Sequence, residues 1–348
     1  MTSFTSLLVA TDFSVDGNNA VRRAALLAHQ HGARLHILHV LNAAGCKPLR
    51  DWFSPTLDLD LKAAQARDAL RRVAVEISGA YDLTASVEVI VGDPFETLMQ
   101  ASEHADLVVL GRRGHGRFKG LLVGRTVDRM LRICRRPVLV VKSPVQATYR
   151  QVLVPIDFTA SSDAAIRVAD RVRRETGMHV FHAINSKREA VLRGVPAHVI
   201  RETHLMEEGA INARMRRQVA RLGLDSTPMN YALAYGPPVR ATLRHAHRLG
   251  ADLIVAGKQG RSTLGRFLLG SVSSRLLSEA TCDMLIVPQP RDSTPPQAAQ
   301  TVAPRLNSEP YIDNAALAQS AAAHAGALTQ TQGHWIHNKA RFVARRAS

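Results

Sequence analysis

Cysteine, aromatic residues and long apolar runs are all scarce in this chain, and each scarcity removes a class of protein. The three cysteines, Cys46, Cys134 and Cys282, form neither a C-x-x-C pair nor a metal-ligand spacing. No disulfide framework is therefore expected, and a reducing, cytoplasmic setting fits best. No uncharged apolar run nears the ~18 residues that a membrane-spanning helix needs. The opening MTSFTSLLVATDFS has no basic segment before its short apolar run, and Asp12 interrupts that run, so a signal peptide is not expected. Aromatics at 5% are too few for the stacking platforms of single-strand binders. Acidic residues are outnumbered 29 to 45, which leaves a formal net charge of +16. Such a charge attracts polyanions in general. Its arginines, however, are spread as pairs over helix faces (Arg22-Arg23, Arg71-Arg72, Arg173-Arg174, Arg216-Arg217). That reads as solvated surface, and nucleic acid is not an expected partner.

Metal and thiol chemistry are also poorly provided for. His36 and His39 are three apart on an expected strand and point to opposite faces. His245 and His247 are two apart on an expected helix and share no face. No metal site is expected. Cys134 shares an apolar face with Val127, Met130 and Leu131 and reads as core, and Cys282 is expected to be buried. No histidine is identifiable as the partner of a catalytic thiol.

What is present is a chain of 348 residues, 46% apolar, which is enough for two domains with real cores. Ser6 to Asp12 reads as an apolar strand ending in an acid, followed by a helix striped by Ala20, Ala24 and Leu27. Strands are expected over Arg34–Val40, Ser86–Val91, Asp106–Leu110 and Pro137–Val141, with a long helix from about Leu59 to Ser78 and another from Arg125 to Cys134. The order then repeats: Gln151–Asp157, His179–Ile184, a long helix within Pro196–Leu224, Tyr231–Tyr235, Asp252–Ala256 and Met284–Val287. Matching landmarks are offset by 145 (157 − 12), 144 (236 − 92) and 146 (257 − 111), so the chain is a tandem duplication. Alternating strands and helices imply parallel sheets covered on both faces. Ligands in such sheets bind beyond the carboxyl ends of the strands.

The most informative stretch is GKQGRSTLGRFLLGSVSSRLL, from Gly257 to Leu277. It follows a buried-strand pattern and runs into a helical one, so the glycines sit between a strand and a helix N-terminus. There, unpaired N–H groups and the positive end of the dipole favour an anion. Lys258, Arg261 and Arg266 add charge of the right sign. The plainer reading is a tight loop with serine caps. The spacing G-x2-G-x9-G-S (Gly257, Gly260, Gly270, Ser271) is more specific, and Gly111, Gly114 and Gly124 repeat it.

This pattern resembles the nucleotide-binding signature of the universal stress protein family, over about residues 1 to 288. The resemblance implies two tandem doubly wound, five-stranded parallel sheets of order 3-2-1-4-5, Rossmann-like, with domains at 1–145 and 149–290. In that order the acid after strand one meets the glycine loop after strand four. It implies ATP or a related adenine nucleotide as ligand, with any Mg2+ arriving on the phosphates. In the second unit it assigns Pro155, Ile156 and Asp157 to the nucleoside and packs Ala183 on the adenine. Ala256, Gly257, Gly260 and Arg261 line the ribose and phosphates, and Gly270, Ser271, Val272 and Ser273 hold the terminal phosphates. The first unit offers a weaker counterpart from Thr11, Asp12, Val40, Gly111, Gly114, Gly124, Arg125 and Thr126. It departs from the pattern because Arg125 stands for Ser271 and Val127 for Ser273. The family also dimerises through its last strand, so an intramolecular pseudo-dimer of the two units is expected.

Three functions stay open: a nucleotide-binding stress regulator, a nucleotide-free interaction module of the same fold, and a slow ATP hydrolase. The loops carry no acidic residue for magnesium and no G-x-x-x-x-G-K-[ST] lysine, so the protein is not expected to be an enzyme. Residues 291–348 begin with a proline-rich linker and end in HWIHNKARFVARRAS, read as a disordered, basic tail.

Overall fold

The computed structural model describes residues 3–42, 55–113, 123–173, 177–185, 197–224, 228–260 and 269–289. These all fall within one unit, Met1–Pro290. The expected tail, Cys46, Gly114, Arg261 and Arg266 lie outside the described residues. The first half runs β1 (Ser6–Ala10), α1 (Val15–His31), β2 (Arg34–Leu41), α2 (Pro55–Tyr81), β3 (Ala85–Val91), α3 (Pro94–Ser102), β4 (Leu107–Gly111), α4 (Arg125–Ile133) and β5 (Val138–Val141). The second half repeats it as β6 (Gln151–Pro155), α5 (Ala160–Arg173), β7 (Gly177–Ile184), α6 (Ala197–Arg221), β8 (Met229–Tyr235), α7 (Pro238–Leu249), β9 (Leu253–Gly257), α8 (Ser271–Glu279) and β10 (Asp283–Val287). Both first strands stop before the acid read as their last residue, and each acid instead accepts the amide two residues on, Ser14 for Asp12 and Thr159 for Asp157.

Local chemistry sets the helix ends. Ser14 accepts the Gly17 N–H at the start of α1, and Gly32 closes that helix at φ 61°, where a side chain would be strained. Asp93 accepts the Phe95 and Glu96 N–H groups at 2.9 Å, with Pro94 in the first turn of α3. One device recurs at the opposite end of each half-sheet. Asp106 accepts the amides of Thr5 and Ser6, and Asp252 accepts those of Arg150 and Gln151. Each carboxylate so fixes the register of a first strand against the fourth. The amides of Thr5 and Ser6 hold the Asp106 carboxyl below its usual range against the opposing effect of burial.

Strands β1, β4, β9 and β10 are buried on both faces, which is why they read as continuous apolar runs rather than alternating ones. Leu7, Val9, Val152 and Val154 face the layer of α1, α2, α5 and α6. Leu8, Val108, Leu153 and Ile254 face the layer of α3, α4, α7 and α8. Each half is parallel with the expected order 3-2-1-4-5. The two halves join edge to edge into one ten-stranded sheet, β3-β2-β1-β4-β5-β10-β9-β6-β7-β8. The joint is antiparallel, with Met284, Leu285 and Ile286 opposite Val140, Leu139 and Val138.

A buried polar network seals this joint. Asp283, 1% exposed, accepts the Tyr149 hydroxyl at 2.7 Å and the Lys142 amide at 2.8 Å, and Arg23 approaches it at 3.5 Å. The Arg23 guanidinium also covers the Tyr149 ring at 4.1 Å and donates to the Ala147 carbonyl at 2.7 Å. The Lys142 ammonium reaches across to the Leu277 and Ala280 carbonyls at the end of α8, at 2.7 and 2.8 Å. Burial lowers the Lys142 pKa to about 8 and raises that of the neighbouring Cys282 thiol to about 11. Cys282 is half-buried rather than enclosed as expected, whereas Cys134 is core, at 2% exposed.

Two predictions follow from the joint. Leu285 is fully buried and pairs on both sides, so Leu285→Pro removes a ladder donor and splays the seam. It should cost about 3 kcal/mol or more and expose two apolar edges. Chemical denaturation and light scattering should show lower stability with self-association; an unchanged monomeric protein would refute the seam's importance. The second concerns pH. Lys142 titrates lower in the folded chain than its usual 10.5, so the unfolded chain holds more protons and stability rises as pH climbs from about 8. Cys282 titrates higher than its usual 9.0, so stability falls as pH climbs from 9 toward about 11. Denaturation midpoints should therefore rise between pH 8 and 9, and Lys142→Met should flatten that rise. Cys282→Ser should remove part of the loss above pH 9.

Candidate functional site

In the second half, β6 ends at Pro155 and the chain passes through Ile156 to Asp157, where α5 begins to claim its side chain. Asp157 Oδ1 accepts the Thr159 amide (3.2 Å) and hydroxyl (2.6 Å) and the Ser162 hydroxyl (2.7 Å), while its own amide donates to Ser162 Oγ at 3.0 Å. The carboxylate is thereby held in one orientation. Its Oδ2 faces the glycine loop: a Cβ at Gly260 would lie 3.2 Å from it. Gly270 donates to the Lys258 carbonyl at 2.8 Å and packs against Gly260, where a Cβ would meet the Gly260 nitrogen at 3.4 Å. Asp157, Gly260 and Gly270 thus converge beyond the carboxyl ends of β6 and β9, which are adjacent strands. Ala183, half-buried near the end of β7, and buried Ala256 in β9 belong to the same end of the sheet.

Helix α8 starts at this point with Gly270 as its N-cap and no side-chain cap bond, which leaves its first-turn N–H groups for an anion. Ser271 and Val272 are exposed there. Ser273 is not: it is 7% exposed and its hydroxyl donates to the Gly257 carbonyl at 2.7 Å. Its counterpart Val127 is likewise buried, so the position faces the core in both halves. The contrast between the two phosphate-side helices therefore narrows to Ser271 against Arg125. Both α4 and α8 begin on a glycine without a side-chain cap. Arg125 is exposed and Thr126 half-buried. Asp128 in the first turn of α4 pairs with Arg132 at 2.9 Å, and α8 has no acid in its first turn.

Lys258 does not add its charge to the loop. It is 6% exposed, and its ammonium points at the Cys134 carbonyl of the first half, at 3.4 Å. Gly257 and Gly111 serve packing: a Cβ at Gly257 would fall against Ser161 Oγ and 2.8 Å from the Ser161 carbonyl oxygen, and one at Gly111 would lie 2.5 Å from the Asp16 carbonyl oxygen. In the first half, Asp12 Oδ1 accepts the Ser14 amide at 3.1 Å, Thr11 Oγ1 accepts the Phe13 amide at 3.0 Å, and Val40 is half-buried near the end of β2. Among the described residues no cluster of His, Cys, Asp and Glu could hold a metal ion.

Sequence reasoning overlooked Phe13 and Phe158. Both follow the acid and both have positive φ, 62° and 65°, a conformation costly for an aromatic residue. Phe13 packs on His39 (centroids 4.5 Å apart) and Phe158 on His182 (4.7 Å). Each imidazole Nδ1 lies 2.8 Å from the carbonyl before the acid, Thr11 or Ile156, so Nδ1 carries the proton and donates. The aromatic ring and histidine so hold the acid's backbone from both sides. The repeated Asp-Phe-Ser and Asp-Phe-Thr were the available signal.

Two open clefts bounded by described residues lie apart from this convergence. One, about 530 Å³, is lined by Pro237, Arg240, Leu243 and Arg244; the other, about 210 Å³, by Phe158 and residues of α6. Neither is lined by the glycine loop, part of which (261–268) is outside the described residues. Donor geometry, not cavity size, locates the candidate site.

The sequence pattern of the universal stress protein family matches the chain twice, over residues 3–142 and 148–288. The chain is similar to a universal stress protein of Mycolicibacterium smegmatis, 28% identical over 294 residues that make up 81% of this chain and 96% of the relative. It is 25% identical over 292 residues to universal stress protein Rv2005c of Mycobacterium tuberculosis, covering 81% of this chain and 97% of that one. Among solved structures, a universal stress protein from Archaeoglobus fulgidus superposes with a TM-score of 0.61 at 23% identity, over 82% of this chain and 98% of that chain. The last likeness concerns the fold.

The glycines separate by role, which gives a test. Gly257→Ala and Gly111→Ala should each destabilise the chain by about 1–3 kcal/mol through overpacking on α5 and α1. Gly270→Ala meets nothing nearer than 3.4 Å and should leave the unfolding midpoint close to wild type. Equal midpoints for all three would show that Gly257 and Gly111 are not packing glycines.

Proposed function

The chain belongs to the universal stress protein family, and on that footing we propose that it binds ATP or a related adenine nucleotide, mainly in its second half. The observation that carries this reading is the asymmetry at the two helix starts. Around α8 an exposed serine and uncapped N–H groups face the glycine loop; around α4 the same place carries Arg125 and a first-turn carboxylate, Asp128. The dipole of α4 is already spent on Asp128, and a guanidinium at the helix start opposes what remains.

Pro155, Ile156 and Asp157 would take the nucleoside, and Ala183 would pack on the base. Gly260, with Arg261 beside it, would line the ribose and phosphates. The α8 N–H groups with Ser271 would hold the terminal phosphates, and Mg2+ would arrive on those phosphates. Ala256, Gly257 and Ser273, whose hydroxyl is bonded to the Gly257 carbonyl, would close the cradle on the side of the sheet. Thr11, Asp12, Val40, Gly111, Gly124, Arg125 and Thr126 form the weaker counterpart. The cradle holds phosphates without a positioned base, so the protein acts by binding, as a cytoplasmic regulator or interaction module, and not by turnover.

Calorimetry on the full chain should give one nucleotide per chain. Gly270→Val should abolish binding, whereas Gly124→Val should leave it nearly unchanged. Arg125→Ser alone should raise the stoichiometry toward two, since Val127 faces the core. No heat and no nucleotide retained on purification would favour a nucleotide-free module. Two nucleotides bound by wild type would mean that Arg125 clamps phosphate.

A further inference from the structure

The second half carries a polar cleft. It lies between α6 and the turn into α5, has a volume of about 210 Å³, and is lined by Phe158, Arg214, Arg217, Gln218 and Arg221. Helices α2 and α6 align through Leu70-Arg71-Arg72 and Met215-Arg216-Arg217, with Leu70 and Met215 both fully buried, at the offset of 145 (215 − 70) seen elsewhere in the duplication. By that register Gln218 stands where Val73 packs partly buried against the core, Arg221 where Glu76 pairs with Arg22, Arg214 where Ala69 stands and Arg217 where Arg72 stands. The duplicated helix has exchanged a partly buried valine for an amide and added two guanidiniums, Arg214 and Arg221, to Arg217, whose counterpart Arg72 is also an arginine.

Gln218 is 6% exposed, and its Nε2 donates to Asp163 Oδ1. A carboxylate only accepts, so this bond fixes which end of the amide is which. Its Oε1 is enclosed without a hydrogen-bond partner. Buried acceptors are almost always satisfied, so this one calls for a donor in the cleft. Arg221 is engaged by Asp163 at 2.7 Å, and Arg214 lies over the Phe158 ring at 4.1 Å. Arg214 and Arg217 have no carboxylate partner among the described residues and are exposed. A ligand suited to the cleft is an anion with planar-fork complementarity to guanidinium that also carries an O–H.

We infer that the α5–α6 cleft is a second anion site, separate from the nucleotide cradle, that takes a small phosphate monoester. Arg214 and Arg217 hold the phosphate oxygens, and Gln218 Oε1 accepts from a ligand hydroxyl. An opening of about 210 Å³ suits a phosphate with a short polar chain.

The test uses the full chain, with glycerol phosphate, inorganic phosphate and sulfate as probes at one fixed low ionic strength. Saturable binding is expected for glycerol phosphate and for inorganic phosphate, which carries its own O–H, and at least tenfold weaker binding for sulfate, which has none at neutral pH. Stronger binding of glycerol phosphate than of inorganic phosphate assigns the ester; the reverse assigns free phosphate as the source. Arg217→Ala should weaken both phosphates at least tenfold while leaving ATP stoichiometry unchanged. Gln218→Ile, which replaces the amide by an apolar side chain, should raise the unfolding midpoint and abolish the preference over sulfate. Absence of saturation with all three probes would overturn the site. So would equal binding of sulfate and phosphate, or a stabilised Gln218→Ile protein with unaltered phosphate binding.

Discussion

The antiparallel pairing of β5 with β10 is the contact on which the rest of the architecture depends. Each half alone would present an apolar last strand, VLVV or DMLIV, as an open edge. Pairing the two removes both edges at once and leaves β3 and β8, the half-exposed strands, as the edges of the sheet. Three residue pairs make a short ladder, so the polar network around Asp283 matters beyond its size. A carboxylate so buried is tolerable only because Tyr149, the Lys142 amide and Arg23 meet it together. Those partners come from the first half and from the connection between the halves, and Asp283 comes from the second. The network therefore specifies which edge meets which.

The joint also determines where the candidate site can be. Because the halves meet edge to edge, the carboxyl ends of β6 and β9 stay open, and the loops after them are free to converge. Their order is fixed from the opposite end of the strands, where Asp252 ties β6 to β9 as Asp106 ties β1 to β4. At the open end the acid is fixed by the first turn of the next helix and by an aromatic ring held at positive φ. Strain at Phe158 is thus confined to the one place where a side chain must be aimed.

Much of this was legible in the sequence. The buried strands appear as uninterrupted apolar runs because both faces are covered, and the glycine spacing appears because Gly111 and Gly257 leave no room for a Cβ. The duplication could be read from offsets alone. Side-chain destinations across the seam could not. Lys258 looked like loop charge, and only the packing of the halves shows its ammonium at the Cys134 carbonyl. Ser271 and Ser273 look equivalent as letters, yet two residues along a helix is a turn of about 200°, which takes one to solvent and the other to the core. Phe13 and Phe158 were passed over because apolar residues after a strand read as core, and positive φ leaves no mark on composition.

Duplication gives one fold two sets of side chains under the same backbone constraints, and the places where the sets differ are the informative ones. Where the requirement is packing, the halves agree in kind: Gly111 with Gly257, Asp106 with Asp252, Phe13 with Phe158. They disagree at Arg125 against Ser271 and at Val73 against Gln218, both in the helical layers and neither at the seam. Replacing a partly buried valine by glutamine gives up apolar burial and adds an amide to be satisfied, and Asp163 satisfies only its donor end. Replacing serine by arginine at an uncapped helix start works against the dipole. Neither change adds to the packing or the capping of its helix.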